Sequence, residues 1–89
     1  MNIEKFVIRD RNSGLYFQCW TERDTMFLTD DLENIENYSS LKEARSVVDT
    51  INNHVGRFLN DKDEKEICDV KLQAGKIIVT YSFEFELLP

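Results

Sequence analysis

The chain has 89 residues, with 17 acidic and 11 basic side chains and a formal net charge of −6. This is the length of one domain, residues 1–89, with a single modest core. Apolar residues make up 42% of the chain, which excludes disorder over most of its length, and no apolar run approaches the roughly 18 residues that span a membrane. The first five residues include no apolar stretch, which predicts a cytoplasmic protein without a secretory signal.

The first two elements are predicted to form a β-hairpin. Residues 4–10 and 15–22 alternate apolar and polar side chains, as half-buried strands do. The segment between them is rich in Asp, Asn and Ser and ends in Gly14, which can supply the positive φ that a tight turn needs. We therefore expect two antiparallel strands joined by a short turn.

The second strand carries large aromatic side chains. Simple alternation places Tyr16 and Trp20 together, on the face opposite Phe17 and Cys19. If the Phe17 face belongs to the core, the two aromatic residues form a pair on the open face of the sheet. Tyrosine and tryptophan are frequent anchors of protein interfaces, so we consider them for contact with a partner, with local packing under residues 23–38 as the alternative.

Residues 24–40 hold five carboxylates and no lysine or arginine. A short apolar stretch at 26–28 predicts a third strand, and Thr29 then resembles the cap of one or two helical turns over residues 30–36. The carboxylates either keep a loop solvated or form a negative patch that docks on a basic partner. They are Asp24, Asp30, Asp31, Glu33 and Glu36.

The clearest predicted element is an amphipathic helix that begins at residue 41. Ser40 and Glu43 fit a capping box, in which the serine hydroxyl accepts from the Glu43 amide and the glutamate reaches back to the Ser40 amide. Apolar residues recur at steps of three and four, as on one helix face. They are Leu41, Ala44, Val48, Ile51, Val55 and Phe58. This stripe predicts a helix that ends between residues 55 and 59, and we favour the longer one.

The last third of the chain is predicted to be a charged loop at 60–65, a strand at 66–72, a hairpin turn at 73–76 and a long strand over 77–88. The element order is then β-β-(β)-α-β-β. Such an order predicts a two-layer α+β domain, in which an antiparallel sheet of four to five strands packs against one long amphipathic helix.

The side chains that catalysis, cofactors or metals require are missing or poorly spaced. The chain has one histidine, His54, two cysteines without a C-x-x-C motif, and no glycine-rich loop, so we expect no enzyme and no cofactor. Lys62 and Lys65 interrupt the carboxylates at 61–66, which favours a solvated loop over a calcium site. Because phosphates repel an acidic chain, we expect no direct nucleic-acid partner.

Two segments carry a resemblance to a known group of proteins. Residues 29–44 read Thr-Asp-Asp-Leu-Glu-Asn-Ile-Glu-Asn-Tyr-Ser-Ser-Leu-Lys-Glu-Ala, and they follow the hairpin strands Phe-Val-Ile-Arg-Asp and Leu-Tyr-Phe. This arrangement resembles small proteins common in phages and prophages of bacteria, with a loose T-x-D-L-x-x-A-x-x-F/Y-x-S-x-x-E-A pattern after two strands. The resemblance implies a mobile-element origin, a bacterial host cytoplasm and no enzymatic activity; some small acidic proteins of this kind inhibit host defence systems.

The leading hypothesis is therefore a small acidic interaction protein, encoded by a phage or another mobile element, that binds a host protein with a basic surface. Inhibition of that host protein is a further part of the hypothesis. Its candidate contacts are the five carboxylates of residues 24–36, with Tyr16 and Trp20 as anchors. The alternative is a small-ligand or metal-binding domain that uses the carboxylates of 60–66 or a pocket between helix and sheet.

Overall fold

A computed structural model describes residues 2–21, 24–53 and 56–80. Within these ranges the chain is an α+β fold with one helix and a six-stranded sheet. The elements are β1 (Asn2–Asp10), β2 (Tyr16–Trp20), β3 (Thr25–Thr29), α1 (Leu41–Asn52), β4 (Arg57–Asn60), β5 (Glu66–Ile67) and β6 (Leu72–Thr80). The strands lie in the order β5-β4-β3-β2-β1-β6.

The predicted α+β class is confirmed, but the sheet is mixed rather than purely antiparallel. β3 and β4 run parallel, while the other neighbouring strands run antiparallel. Two parallel neighbours need a crossover connection, which α1 supplies because it lies between them in the chain. The prediction of four to five strands was wrong because residues predicted to extend the helix form a further short strand, β4.

The predicted N-terminal hairpin is confirmed. β1 and β2 pair antiparallel, with Arg9 opposite Tyr16. The Asp10 amide donates to the Leu15 carbonyl at 2.8 Å, and Gly14 has a φ of +77°. Glycine adopts this left-handed conformation without the steric cost of a Cβ atom. Gly14 therefore allows the chain to turn back into β2.

The carboxylate of Asp10 joins this hairpin turn to a distant part of the chain. It accepts hydrogen bonds from the Ser13 hydroxyl at 2.6 Å and from the amides of Ser13 at 3.0 Å, Asn12 at 3.2 Å and Lys71 at 2.8 Å. Burial raises the pKa of Asp10, but these hydrogen bonds to its charged form outweigh burial and leave the pKa below its ordinary value. A fully buried carboxylate is thus kept ionised by its partners.

Helix α1 begins where the sequence predicts. The Ser40 hydroxyl accepts from the Glu43 amide at 3.1 Å. The other half of the predicted capping box differs, because the Glu43 carboxylate accepts from the hydroxyl and, at 3.3 Å, the amide of Ser39 rather than from Ser40. The Glu43 carboxylate therefore accepts hydrogen bonds from the residue before the cap. The start of the helix is still held by two residues, Ser39 and Ser40.

The prediction that the helix continues to residue 59 was wrong. Phe58 and Leu59 belong to β4, and the helix ends at Asn52. Gly56 explains the change of direction, because a Cβ atom there would lie 2.4 Å from the carbonyl oxygen of Asp24. This close approach lets the Arg57 amide donate to the same oxygen at 3.2 Å and start the pairing of β4 with β3. The predicted stripe position Val55 and the single histidine, His54, lie outside the described residues.

The predicted turn at residues 73–76 was also wrong. β6 runs through these residues without a break and pairs with β1 along its whole length. Gly75 lies directly opposite Val7 in this pairing. The predicted final strand is confirmed as far as Thr80, and its continuation over 81–88 lies outside the described residues.

The predicted strand at residues 66–72 is limited to the two residues of β5. Asp69, two residues beyond it, has a φ of +55°, which an extended strand does not contain. The carbonyl of Lys71 then accepts from the Arg11 amide at 2.9 Å. The chain therefore leaves β5 through a bend and enters β6 beside the β1–β2 turn.

The core lies between one face of the sheet and the buried side of α1. Its buried members from the strands are Ile8, Phe17, Met26 and Leu28, and those from the helix are Ala44, Val48 and Ile51. The half-buried side chains that pack against it include Trp20, Tyr38, Phe58 and Ile67. Since buried aliphatic and aromatic side chains supply most of the driving force for folding, this cluster fixes α1 on the sheet.

Candidate functional site

The acidic segment after β3 forms a single turn rather than the predicted helical turns over 30–36. The Asp31 amide donates to the Thr29 hydroxyl at 3.0 Å. The Asp31 carboxylate accepts from the Glu33 amide at 3.0 Å and from the Asn34 side chain at 2.7 Å. A carboxylate that satisfies nearby amides competes with helix formation, so Asp31 fixes the turn and has a structural role.

Two acidic segments that are far apart in the sequence meet at the end of β3. The Lys62 ammonium lies 2.9 Å from the Asp30 carboxylate. The Asp61 amide donates to the Leu28 carbonyl at 2.8 Å, and the Thr29 hydroxyl donates to the Asp61 carboxylate at 3.4 Å. These contacts hold the turn after β3 against the turn between β4 and β5.

We call this region the acidic end. It comprises seven carboxylates and two lysines: Asp30, Asp31, Glu33, Asp61, Asp63, Glu64, Glu66, Lys62 and Lys65. The hydrogen bond from Lys62 to Asp30, together with the negative charge of Asp30, raises the pKa of Lys62. The exposed side chains of Glu33, Glu64 and Glu66 make no hydrogen bond or ion pair within the described residues. Several charges of the acidic end are thus not required for its structure.

The acidic end does not have the form of a cation site. In the part of the chain that the structure describes, no three Asp, Glu, His or Cys side chains come together around a point that would suit a metal ion. Asp63 accepts instead from the Lys65 amide at 3.0 Å, and Asn60 accepts from the Lys62 amide at 2.9 Å. These bonds shape the β4–β5 turn and engage oxygens that a hard cation would need.

The remaining predicted carboxylates lie elsewhere. Asp24 precedes β3 and has a φ of +51°. It is separated from Asp30 by the whole of that strand, about 20 Å at the usual rise per residue. Glu36 lies beyond the turn, where its amide donates to the Phe17 carbonyl at 3.2 Å. The structure therefore groups Asp30 with its neighbours in the acidic end and leaves Asp24 at the opposite end of β3.

A β-bulge in β2 separates the two aromatic candidates. Successive register pairs are Phe17 with Leu28, Cys19 with Phe27 and Trp20 with Met26. The extra residue shifts the alternation, so Trp20 lies on the core face and packs against the core, while Cys19 is exposed. Tyr16, before the bulge, lies on the face away from α1. The expected aromatic pair on one open face was therefore wrong.

The sequence contained part of the signal for the acidic end. It singled out Asp30, Asp31 and Glu33, but the carboxylates of the β4–β5 turn were considered only as a loop or a metal site. The contact between the two acidic segments depends on the parallel pairing of β3 with β4, which no local pattern specifies. A parallel pair is formed by segments separated by a crossover, so the contact could not be read from neighbouring residues.

Comparisons with known proteins assign no family to the chain. Protein-family models, curated proteins and solved structures give no match to the chain. Among the described residues, no helix is both long and apolar enough to cross a membrane.

Proposed function

We propose that the protein is a small, non-catalytic interaction protein that docks through its acidic end on a basic surface of a partner protein. The observation that carries the proposal is the contact of Asp30 with Lys62 at 2.9 Å. It brings together two segments, residues 30–33 and 61–66, whose carboxylates outnumber their lysines by seven to two. A dense negative surface of this kind steers a basic partner toward it.

The charges most available for docking are those without a structural role. Asp31 holds its own turn, and Asp30 is paired with Lys62. Glu33 and Glu64 project from the two adjacent turns as exposed side chains without partners in the described part of the chain. Like charges in proximity repel one another, which mildly opposes folding. A basic partner would relieve that repulsion, and this makes the acidic end better suited to binding than to stabilising the free protein.

The kind of partner follows from the charge and from the sequence resemblance. Closely spaced carboxylates imitate a row of phosphates, so a surface that binds phosphates offers matching cations. The resemblance to small phage and prophage proteins points to a host protein in the bacterial cytoplasm. In this proposal the acidic end occupies such a basic surface and thereby inhibits the host protein.

Capture from a bacterial lysate tests the proposal when charge variants are compared. The test variant is Glu33→Gln with Glu64→Gln, which neutralises two charges of the acidic end. The matched control is Asp24→Asn with Asp49→Asn, which changes net charge equally at exposed positions outside the acidic end. We expect one host protein to be retained by the wild type and the control at about 50 mM salt, and to be lost with the test variant or at about 300 mM salt. Equal capture by all three proteins would contradict docking through the acidic end.

A further inference from the structure

The sheet face away from α1 contains a depression of about 200 Å³. It lies where β1, β2 and β6 are neighbours, beyond the residues assigned to the acidic end. Val7 and Gly75 form its floor, and Arg9, Tyr16, Gln73 and Ile77 surround them, with Lys76 also lining it. Val7 is only 2% exposed, so the floor is closed.

The strand register explains why the depression exists. Arg9 lies opposite Gln73 on one side and opposite Tyr16 on the other. In the next row, Val7 lies opposite Gly75, which contributes no side chain to the face. A Cβ atom at Gly75 would meet nothing within 4 Å. The missing side chain therefore leaves an open space between the row that contains Arg9 and the side chain of Ile77.

The polar groups around this space are free to bind a ligand. The side chains of Arg9, Tyr16 and Gln73 make no hydrogen bond or ion pair within the described residues. A guanidinium presents two parallel N–H groups that match the two oxygens of a carboxylate. The phenol and the amide add hydrogen-bonding groups on both sides of it, while Ile77 offers apolar surface.

We propose that the depression binds a small planar aromatic carboxylate. Arg9 receives the carboxylate, and the ring lies over Gly75 beside Ile77. The net charge of −6 repels anions at a distance, so affinity has to come from direct contact with the guanidinium and from burial of the ring.

Titration with benzoate, followed by amide chemical shifts in NMR spectra, tests the assignment. We expect saturable shifts centred on the amides of Gly75 and Gln73. Benzamide keeps the ring but lacks the charge, and acetate keeps the charge but lacks the ring. Each is expected to bind at least tenfold more weakly than benzoate. Arg9→Gln is expected to weaken benzoate binding at least tenfold, whereas Arg11→Gln, an exposed arginine of the β1–β2 turn, leaves it unchanged.

A second variant tests the space itself. Gly75→Val places a β-branched side chain in the depression at a strand position, where such residues are favoured. We expect its melting temperature to equal or exceed that of the wild type, and benzoate binding to be lost. Absence of saturable shifts in the wild type would overturn the proposal. Undiminished binding by either Arg9→Gln or Gly75→Val, or equal binding of acetate, would overturn it as well.

Discussion

The carboxylate of Asp10 and the amide of Lys71 form a hydrogen bond of 2.8 Å across 61 residues of sequence. The Arg11 amide donates to the Lys71 carbonyl beside it at 2.9 Å. Together the two bonds fix the point at which the chain enters β6. They therefore determine the register that places Gly75 opposite Val7 and leaves the depression open.

Replacing Asp10 is expected to destabilise the protein markedly. Asp10→Ala leaves the Lys71 amide and the Ser13 groups without their acceptor, and an unsatisfied buried donor costs about 1–3 kcal/mol. We expect a loss of at least about 2 kcal/mol in the free energy of unfolding at neutral pH, measured by urea denaturation. A loss below about 0.5 kcal/mol, the size of an ordinary surface substitution, would show that this network does not hold the fold.

The same carboxylate makes stability depend on pH. Because the folded-state pKa of Asp10 is below its unfolded value, its contribution is fully present above the unfolded pKa and is lost as the pH falls through the folded pKa. We expect the difference in unfolding free energy between the wild type and Asp10→Asn to shrink as the pH falls from 7 to below the ordinary aspartate pKa of about 3.9. A difference that stays constant over that range would contradict the assignment.

The β-bulge in β2 can be tested by comparing two neighbouring substitutions. Trp20 packs against the core, so Trp20→Ala is expected to cost about 2 kcal/mol or more. Cys19 is exposed, so Cys19→Ala is expected to change stability by no more than about 0.5 kcal/mol. Unbroken alternation from Phe17 predicts the reverse order. Chemical denaturation of both variants therefore distinguishes the bulged register from a regular one.

Gly56 and Gly75 are expected to respond to substitution in opposite directions. A Cβ atom at Gly56 meets the Asp24 carbonyl oxygen at 2.4 Å and the terminal methyl of Met26 at 2.7 Å. Gly56→Ala is therefore expected to cost about 1–3 kcal/mol, as overpacking does. Gly75→Ala meets nothing and lies within a strand, so we expect a gain of about 0.5–1 kcal/mol. Equal melting temperatures for the two variants would contradict the close contact at Gly56 and the open space at Gly75.

Gly56 also shows why the start of helix α1 could be predicted from the sequence but its end could not. The start of the helix was predictable because Ser40 caps it through a bond to a residue three positions away. Its end was not, because Phe58 fits both the helical stripe and a half-buried strand position. What separates the two is the approach of Gly56 to Asp24, a tertiary contact. Local periodicity does not contain that information.

The acidic end was partly predictable from the sequence, whereas the depression was not. The charge of Asp30 and Glu33 was evident, but the contact of Asp30 with Lys62 arises from the parallel pairing of β3 with β4. The depression around Arg9 was not predicted, because Gly75 was interpreted as a turn residue and no local signal marks a gap in a sheet face. Alternation likewise cannot reveal a bulge, since one extra residue reverses the face of every residue after it.

Neutralising the acidic end is expected to leave the fold intact. Glu33→Gln with Glu64→Gln removes two charges that make no hydrogen bond or ion pair within the described residues and reduces like-charge repulsion. We expect the free energy of unfolding to stay the same or to rise by a few tenths of a kcal/mol. A loss above about 1 kcal/mol would identify these glutamates as structural rather than as docking groups.

The association rate constant with the captured partner tests docking through the acidic end most directly, because exposed interface charges act mainly on the rate of encounter. It is measured for the wild type, for Glu33→Gln with Glu64→Gln, and for the control Asp24→Asn with Asp49→Asn, at about 50 and 300 mM salt. We predict slower association and a weaker salt dependence for the first variant alone. Equal rates and equal salt dependence for the two variants would contradict the proposal.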